Sequence, residues 1–330
     1  MMRYVKKMVE RFINKCYSVA PVCYVENDCY MAQVVTMYAW KCGRKDNLYF
    51  SFLDNWRFNY DESKEELLEK PYIGSQEKKC LEKYYNIKIQ EFAVPNRKDI
   101  IEVLDNSLSE SPVLLPVDST IVPWIVSGNK GSYPHVLIIT GIIHDKKRVV
   151  VTDAFSNREG ELISFDDVVK GYVTGIEKID FSNMIQPIID TNTVLRIIAD
   201  CARNNNVIKK LYIFAEDVDK DKLILDEYNA FINSEFNVSI LDNVFNRKKI
   251  NALLEKIREQ DNDIIEEIIS EFHKDTKCWE NLHTTFVIVS IKKSINNSNE
   301  RLAKIIRDIA QREERIYQII DNYTKYVETK

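Results

Sequence analysis

The chain has 330 residues, 45% of them hydrophobic, enough for one large domain or two ordinary ones with a real core in each. Its 46 basic against 51 acidic residues give a net charge of −5 with neither a basic stripe nor an acidic tail, which argues against binding along a nucleic-acid backbone. The seven cysteines are an odd number, widely spread and without a CxxC pair, which argues against a disulfide framework and for reduced thiols.

Taken in chain order, the N-terminal stretch MMRYVKKMVERFINKCYSV keeps charges inside its apolar run and reads as an amphipathic helix rather than a signal peptide. No segment reaches the roughly 18 uninterrupted apolar residues of a membrane span, so the expectation is a cytoplasmic protein without a membrane partner. In YVENDCYMAQVVTMYAW, Asn27 and Asp28 are natural N-caps. They place Cys29 in the first turn of a helix running to about Trp40, with Ala32, Val35 and Ala39 on one side. NLYFSF (47–52), IKIQEFAV (87–94), PVLLPVD (112–118), VLIITGII (136–143) and RVVVTDAF (148–155) are rich in β-branched and aromatic residues and predict strands. Between the second and third of these, Asn96 caps a helix with Asp99 in its first turn and Ile100, Ile101, Val103 and Leu104 following. After about 185 the period becomes helical: Ile250, Leu253, Leu254 and Ile257 recur at three- and four-residue steps, as do Leu302, Ile305, Ile306, Ile309, Ile316, Ile319, Ile320 and Tyr323. TTFVIVSI (284–291) fits a strand or a buried helix equally. The predicted class is α+β: a mixed domain over 1–185 and a mainly helical domain over 186–330.

With eight glycines the chain has no GxGxxG, no GxxxxGK and no GxSxG, which weakens nucleotide-binding and serine-hydrolase readings. In HKDTKCWENLH, His273, Cys278 and His283 are five apart, a spacing that does not align them on one helical face, and a fourth ligand is missing; no metal site is predicted. Cys29 is the candidate nucleophile. At a helix N-terminus its sulfur faces amides that favour a thiolate and, with a histidine partner, lower a cysteine pKa from about 8.5 toward ~3.5–7.5. The same amides could hold a developing oxyanion, although a cysteine opening an apolar helix is also a common small buried residue. His135 starts one β-run and Asp153 lies near the end of the next, with HDKK (144–147) turning between them. Both side chains share a face if the loop has an odd length or a bulge restores parity. The carboxylate would then fix the imidazole while its other nitrogen takes the proton of Cys29.

NDCYMAQ, SPVLLPVDSTIVPW, YPHVLIITGI and RVVVTDAFSNREGELISFDDVVKGY, in that order within residues 15–180, resemble the papain-like cysteine-peptidase fold in its bacterial form. Two branches are similar. In the peptidase domain of bacteriocin-exporting transporters, the Asp-Cys dipeptide and the His-to-Asp hairpin look like Asp28-Cys29 and His135…Asp153. In the amide-forming acyltransferases of antibiotic biosynthesis, of the butirosin and closthioamide type, a strand like 112–118 precedes the histidine and a helical half follows. The resemblance implies a central N-terminal helix on an antiparallel sheet, with Cys29, His135 and Asp153 catalytic.

Two positions depart from the peptidase branch: Cys23 stands where that branch has an oxyanion-donating glutamine, and Tyr30 where it has glycine. Asn27, with the backbone amide of Cys29, is the substitute donor. Losing one such donor costs about 100- to 1000-fold, a heavy loss for cleavage of an unactivated amide and a lighter one for a thioester. The expected function is therefore acyl transfer from the phosphopantetheine thioester of an acyl or peptidyl carrier protein to a small amine, with no bound cofactor. A deep apolar channel would keep water out, Tyr30 and Asp118 would line the substrate pocket unless Asp118 is simply a strand-end cap, and NRKK (246–249) would form a solvated helix face or else meet an acidic carrier. The alternatives are a cysteine peptidase acting on a leader or small peptide, and an inactive papain-like binding module.

Overall fold

The computed structural model describes residues 16–72, 74, 76–125, 133–220, 234–258, 263–292 and 298–329; most of the expected N-terminal amphipathic helix lies outside them. In chain order the helices are α1 (Cys29–Cys42), α2 (Glu77–Tyr85), α3 (Ile100–Ser107), α4 (Phe165–Gly171), α5 (Thr191–Asn204), α6 (Val207–Lys220), α7 (Glu235–Lys256), α8 (Asp263–Lys292) and α9 (Ser298–Glu328). The strands are β1 (Lys88–Phe92), β2 (Val113–Asp118), β3 (Pro134–Ile143), β4 (Arg148–Asp153), β5 (Arg158–Ser164) and β6 (Ile176–Asp180). The class is α+β. Among the described residues, no helix is long and apolar enough to cross a membrane.

The chain forms two compact units. One takes in the described parts of 1–47, 86–128 and 132–184, the other those of 48–85 and 185–330. The segment 48–85 thus groups with the C-terminal helices, whereas the sequence reading puts it in a domain ending at 185. The reason is aromatic: the ring centroids of Trp56 and Phe272 are 5.0 Å apart, and those of Phe58 and Phe214 5.5 Å. These large side chains gain most of their stabilisation by leaving water together. NLYFSF is not a strand, because Leu48 adopts a left-handed φ of 52° and Tyr49–Phe52 closes into a 3₁₀ turn. TTFVIVSI belongs to α8.

In the first unit an antiparallel sheet has the order β1-β6-β2-β3-β4-β5. The inner strands β2, β3 and β4 are buried almost throughout, which is why they read as continuous apolar runs, while the edges β1 and β5 are largely exposed and charged. Val113, Leu115 and Val117 on β2, Leu137 and Ile139 on β3, and Val149 and Val151 on β4 form a core with Ile100 and Leu104 of α3 and Val168 of α4. The period of two in that list is the strand alternation of the sequence.

In the second unit the basic stretch 246–249 is not the solvated face or carrier contact that the sequence suggests. Arg247 and Lys249 are fully buried. The Arg247 guanidinium bonds Glu313 Oε1, which also accepts the indole N–H of Trp279 at 3.0 Å, while the Trp56 indole donates to Glu313 Oε2 at 2.9 Å. Lys249 donates to Glu77 Oε1 at 2.6 Å. Buried charges persist where each has a partner, and these do. His273 meets Glu255 at 3.3 Å and His283 meets Asn237 at 3.0 Å.

Candidate active site

The helix α1 begins where the sequence puts it. Asp28 is extended, and its carboxylate accepts the Met31 N–H at 2.8 Å, the geometry of an N-cap; Gly43, at φ 66°, closes the other end in a left-handed cap. Cys29 is the first helical residue and half-buried.

The hairpin β3–β4 meets the parity condition by a bulge. Gly141 faces Val150, but Ile139 faces Val151 and Ile138 faces Thr152, so one extra residue, Thr140, enters β3. Its hydroxyl bonds the Val150 carbonyl at 3.2 Å and its own carbonyl accepts the Tyr17 N–H at 2.8 Å. One step further along that register brings Asp153 opposite Leu137, two residues from His135 and on the same face. The result is direct contact: His135 Nε2 lies 3.0 Å from Asp153 Oδ2, with both side chains buried. Since Nε2 is engaged, Nδ1 is the nitrogen left to act as base.

Asp153 is held from four sides. Trp124 Nε1 donates to Oδ2 at 2.8 Å, Gln33 Nε2 to Oδ1 at 3.0 Å, and the Ser156 N–H to Oδ1 at 3.3 Å, besides His135. Burial pushes the carboxyl pKa upward, but the bond and charge of His135 and the donors Trp124 and Ser156 hold it at about 2. Gln33 also accepts the Ala154 N–H at 3.0 Å, so both ends of its buried amide are spent on the end of β4.

Gln33 is four residues after Cys29, on the same face of α1, and so ties the helix carrying the thiol to the carboxylate that orients the imidazole. At its other end α1 carries Trp40, whose ring stacks edge-on with Tyr17, the residue bonded to Thr140. The helix therefore runs alongside β3 with Cys29 at the end where β3 begins. Tyr133, the residue before β3, feels the Cys29 thiol: burial, then the charge of Cys29, then that of Asp153 raise its phenol pKa.

The secondary candidates have other partners. Asn27 is buried and one N–H of its amide, the group proposed as oxyanion donor, is directed to Asn47 Oδ1 at 2.7 Å. Tyr30 donates to Glu177 on β6 at 2.9 Å. Asp118 caps the turn after β2, accepting the Thr120 N–H at 2.8 Å and its hydroxyl at 2.6 Å. Cys23 is exposed; burial of its sulfur, then Glu26 and Asp153, raise its pKa. A cavity of about 340 Å³ in this unit is lined by Met37, Trp40, Lys41, Lys178 and Phe181, at the far end of α1 from Cys29, not where a channel to the thiol is expected.

Sequence reasoning missed Gln33, Trp124 and Tyr133. Helical spacing of four from Cys29 could have found Gln33, and strand spacing of two from His135 could have found Tyr133. Trp124 sits in a loop and carries no periodic signal. No protein-family model matches this chain, and no curated protein matches it.

Proposed function

We propose that the protein is a cysteine-dependent acyltransferase that forms amide bonds, moving an acyl group from a carrier-protein thioester through Cys29 to a small amine, in the making of a peptide-like natural product. The observation that carries this reading is the buried His135–Asp153 pair, joined by Gln33 to the helix that starts at Cys29. A carboxylate held at about pKa 2 stays ionised and supports an imidazolium beside it.

The cycle is ping-pong. His135 Nδ1 takes the Cys29 proton, and the thiolate attacks the thioester carbonyl. The carrier thiolate leaves and takes the proton back from His135, so an acyl-Cys29 thioester and a carrier thiol result. An amine then attacks that thioester, His135 accepts its proton and returns it to the departing Cys29 sulfur, and the amide is released. Transfer from a thioester is favoured over cleavage of an unactivated amide because Cys23 stands in place of a carboxamide donor and the Asn27 amide is directed to Asn47.

The test is intact-protein mass spectrometry of wild type and Cys29→Ala after incubation with acyl-phosphopantetheinyl carrier proteins. The expected result is a mass gain of one acyl group on wild type alone. No gain with any carrier, from a protein whose Cys29 still alkylates, would turn the reading toward a peptidase, and an inert Cys29 toward a binding module.

A further inference from the structure

The acyl-transfer reading gives the attacked carbonyl oxygen the Cys29 backbone N–H, with Cys23 in place of a side-chain donor and the Asn27 amide directed to Asn47. Tyr133 is the residue that the strand register offers. It lies two residues before His135 in extended chain that continues the β2–β3 pairing, so both side chains project from one face. Asp153, His135 and Tyr133 thus follow one another toward the end of β3 where Cys29 opens α1, with His135 in the middle. The phenol is half-buried and its backbone is held by Ser119: the Tyr133 N–H donates to Ser119 Oγ at 3.2 Å, and the Tyr133 carbonyl accepts the Ser119 N–H at 2.9 Å. Ser119 is itself fully buried.

We propose that the Tyr133 hydroxyl is the side-chain donor of the oxyanion site, completing it with the Cys29 N–H. The role rests on the acyl-transfer reading of Cys29. As the sulfur–carbon bond forms, the carbonyl π pair moves onto oxygen, and the phenol O–H hydrogen-bonds that oxygen without giving up its proton. When the pair returns, the leaving thiolate departs and Tyr133 is unchanged. A phenol with a raised pKa keeps its proton for this work, and burial with the charges of Cys29 and Asp153 has that effect.

The test compares two reactions of Cys29 in the full-length chain, wild type against Tyr133→Phe. Alkylation by iodoacetamide displaces halide at a saturated carbon and forms no oxyanion, whereas acylation by p-nitrophenyl acetate passes through one. Cys29→Ala identifies the signal of the other thiols, among which burial holds Cys80 and Cys201 at pKa about 12 and about 11. Tyr133→Phe is expected to acylate about 100- to 1000-fold more slowly while alkylating within about twofold of wild type, which also shows that the variant is folded. Equal acylation rates overturn the role, as does a parallel fall in both reactions, since the phenol would then serve the thiol and not the oxyanion. Wild type that alkylates at Cys29 but is never acylated there refutes the acyl-transfer reading itself.

Discussion

Replacing Gln33 by glutamate keeps the shape of the side chain and reverses the chemistry at its tip. In the wild type, Gln33 Nε2 donates to Asp153 Oδ1 at 3.0 Å. In Gln33→Glu a carboxylate oxygen meets that oxygen instead, and two unit charges at such a distance repel by about 5 kcal/mol at an effective dielectric near 20. The pair relieves this by binding a proton. For the wild type, the Asp153 carboxyl is depressed from 3.8 to about 2. Its stabilisation, about 2 kcal/mol at roughly 1.4 kcal/mol per pH unit, is complete above pH ~4 and is lost as pH falls through about 2. In Gln33→Glu one carboxyl of the pair has its folded pKa raised above the unfolded value near 4.3, so the folded state binds more protons than the unfolded one. Its stability therefore declines as pH rises from about 4 toward that raised value, the reverse of the wild-type trend. The assay is urea denaturation at pH 4, 5, 6 and 7, followed by tryptophan fluorescence, to which Trp124 beside Asp153 contributes. Coincident midpoints for wild type and Gln33→Glu across this range would refute the clamp.

Two more substitutions probe the frame around the site. Gly141→Ala adds a Cβ that would stand 2.5 Å from Cys16 Sγ and 3.1 Å from its Cα, beside the bulge that sets the His135–Asp153 register. Such overpacking is expected to cost about 1–3 kcal/mol in denaturant unfolding and to slow Cys29 alkylation; a variant as stable as wild type would remove close packing as the reason for glycine. Arg247→Met strips the cation from a fully buried cluster in which Asp275, with its carboxyl pKa raised by burial and by Glu313, lies 3.6 Å from the guanidinium. A loss of about 3–5 kcal/mol in urea unfolding is expected, and a loss below about 1 kcal/mol would mean that the cluster does not depend on its arginine.

The local parts of the site were legible because they obey local rules. Asp28 capping the amides ahead of Cys29 is a two-residue signal, and the apolar runs of β2, β3 and β4 announce strands buried on both faces. The order Cys29, His135, Asp153 was readable; the meeting of the last two was conditional on parity, which the sequence cannot compute because a bulge is a choice of pairing between strands. That choice fell on Thr140, where Val150 and Tyr17 supply hydrogen bonds to the extra residue. The reading failed where an isolated pattern met a long-range partner. NLYFSF has strand composition but lies in the unit formed with the C-terminal helices, and NRKK looks solvated until Glu313 and Glu77, 66 and 172 residues away, neutralise it.

Sequence alone determined that a helix opens at Cys29, that a β-hairpin carries His135 and Asp153, and that the chain after about 185 is helical, since caps and periodicities act over a few residues. Tertiary structure alone decided which charges are buried, which residues clamp Asp153, and that a bulge brings His135 against it. Those outcomes depend on contacts between residues distant in the chain, whose free energy is gained only when the elements pack.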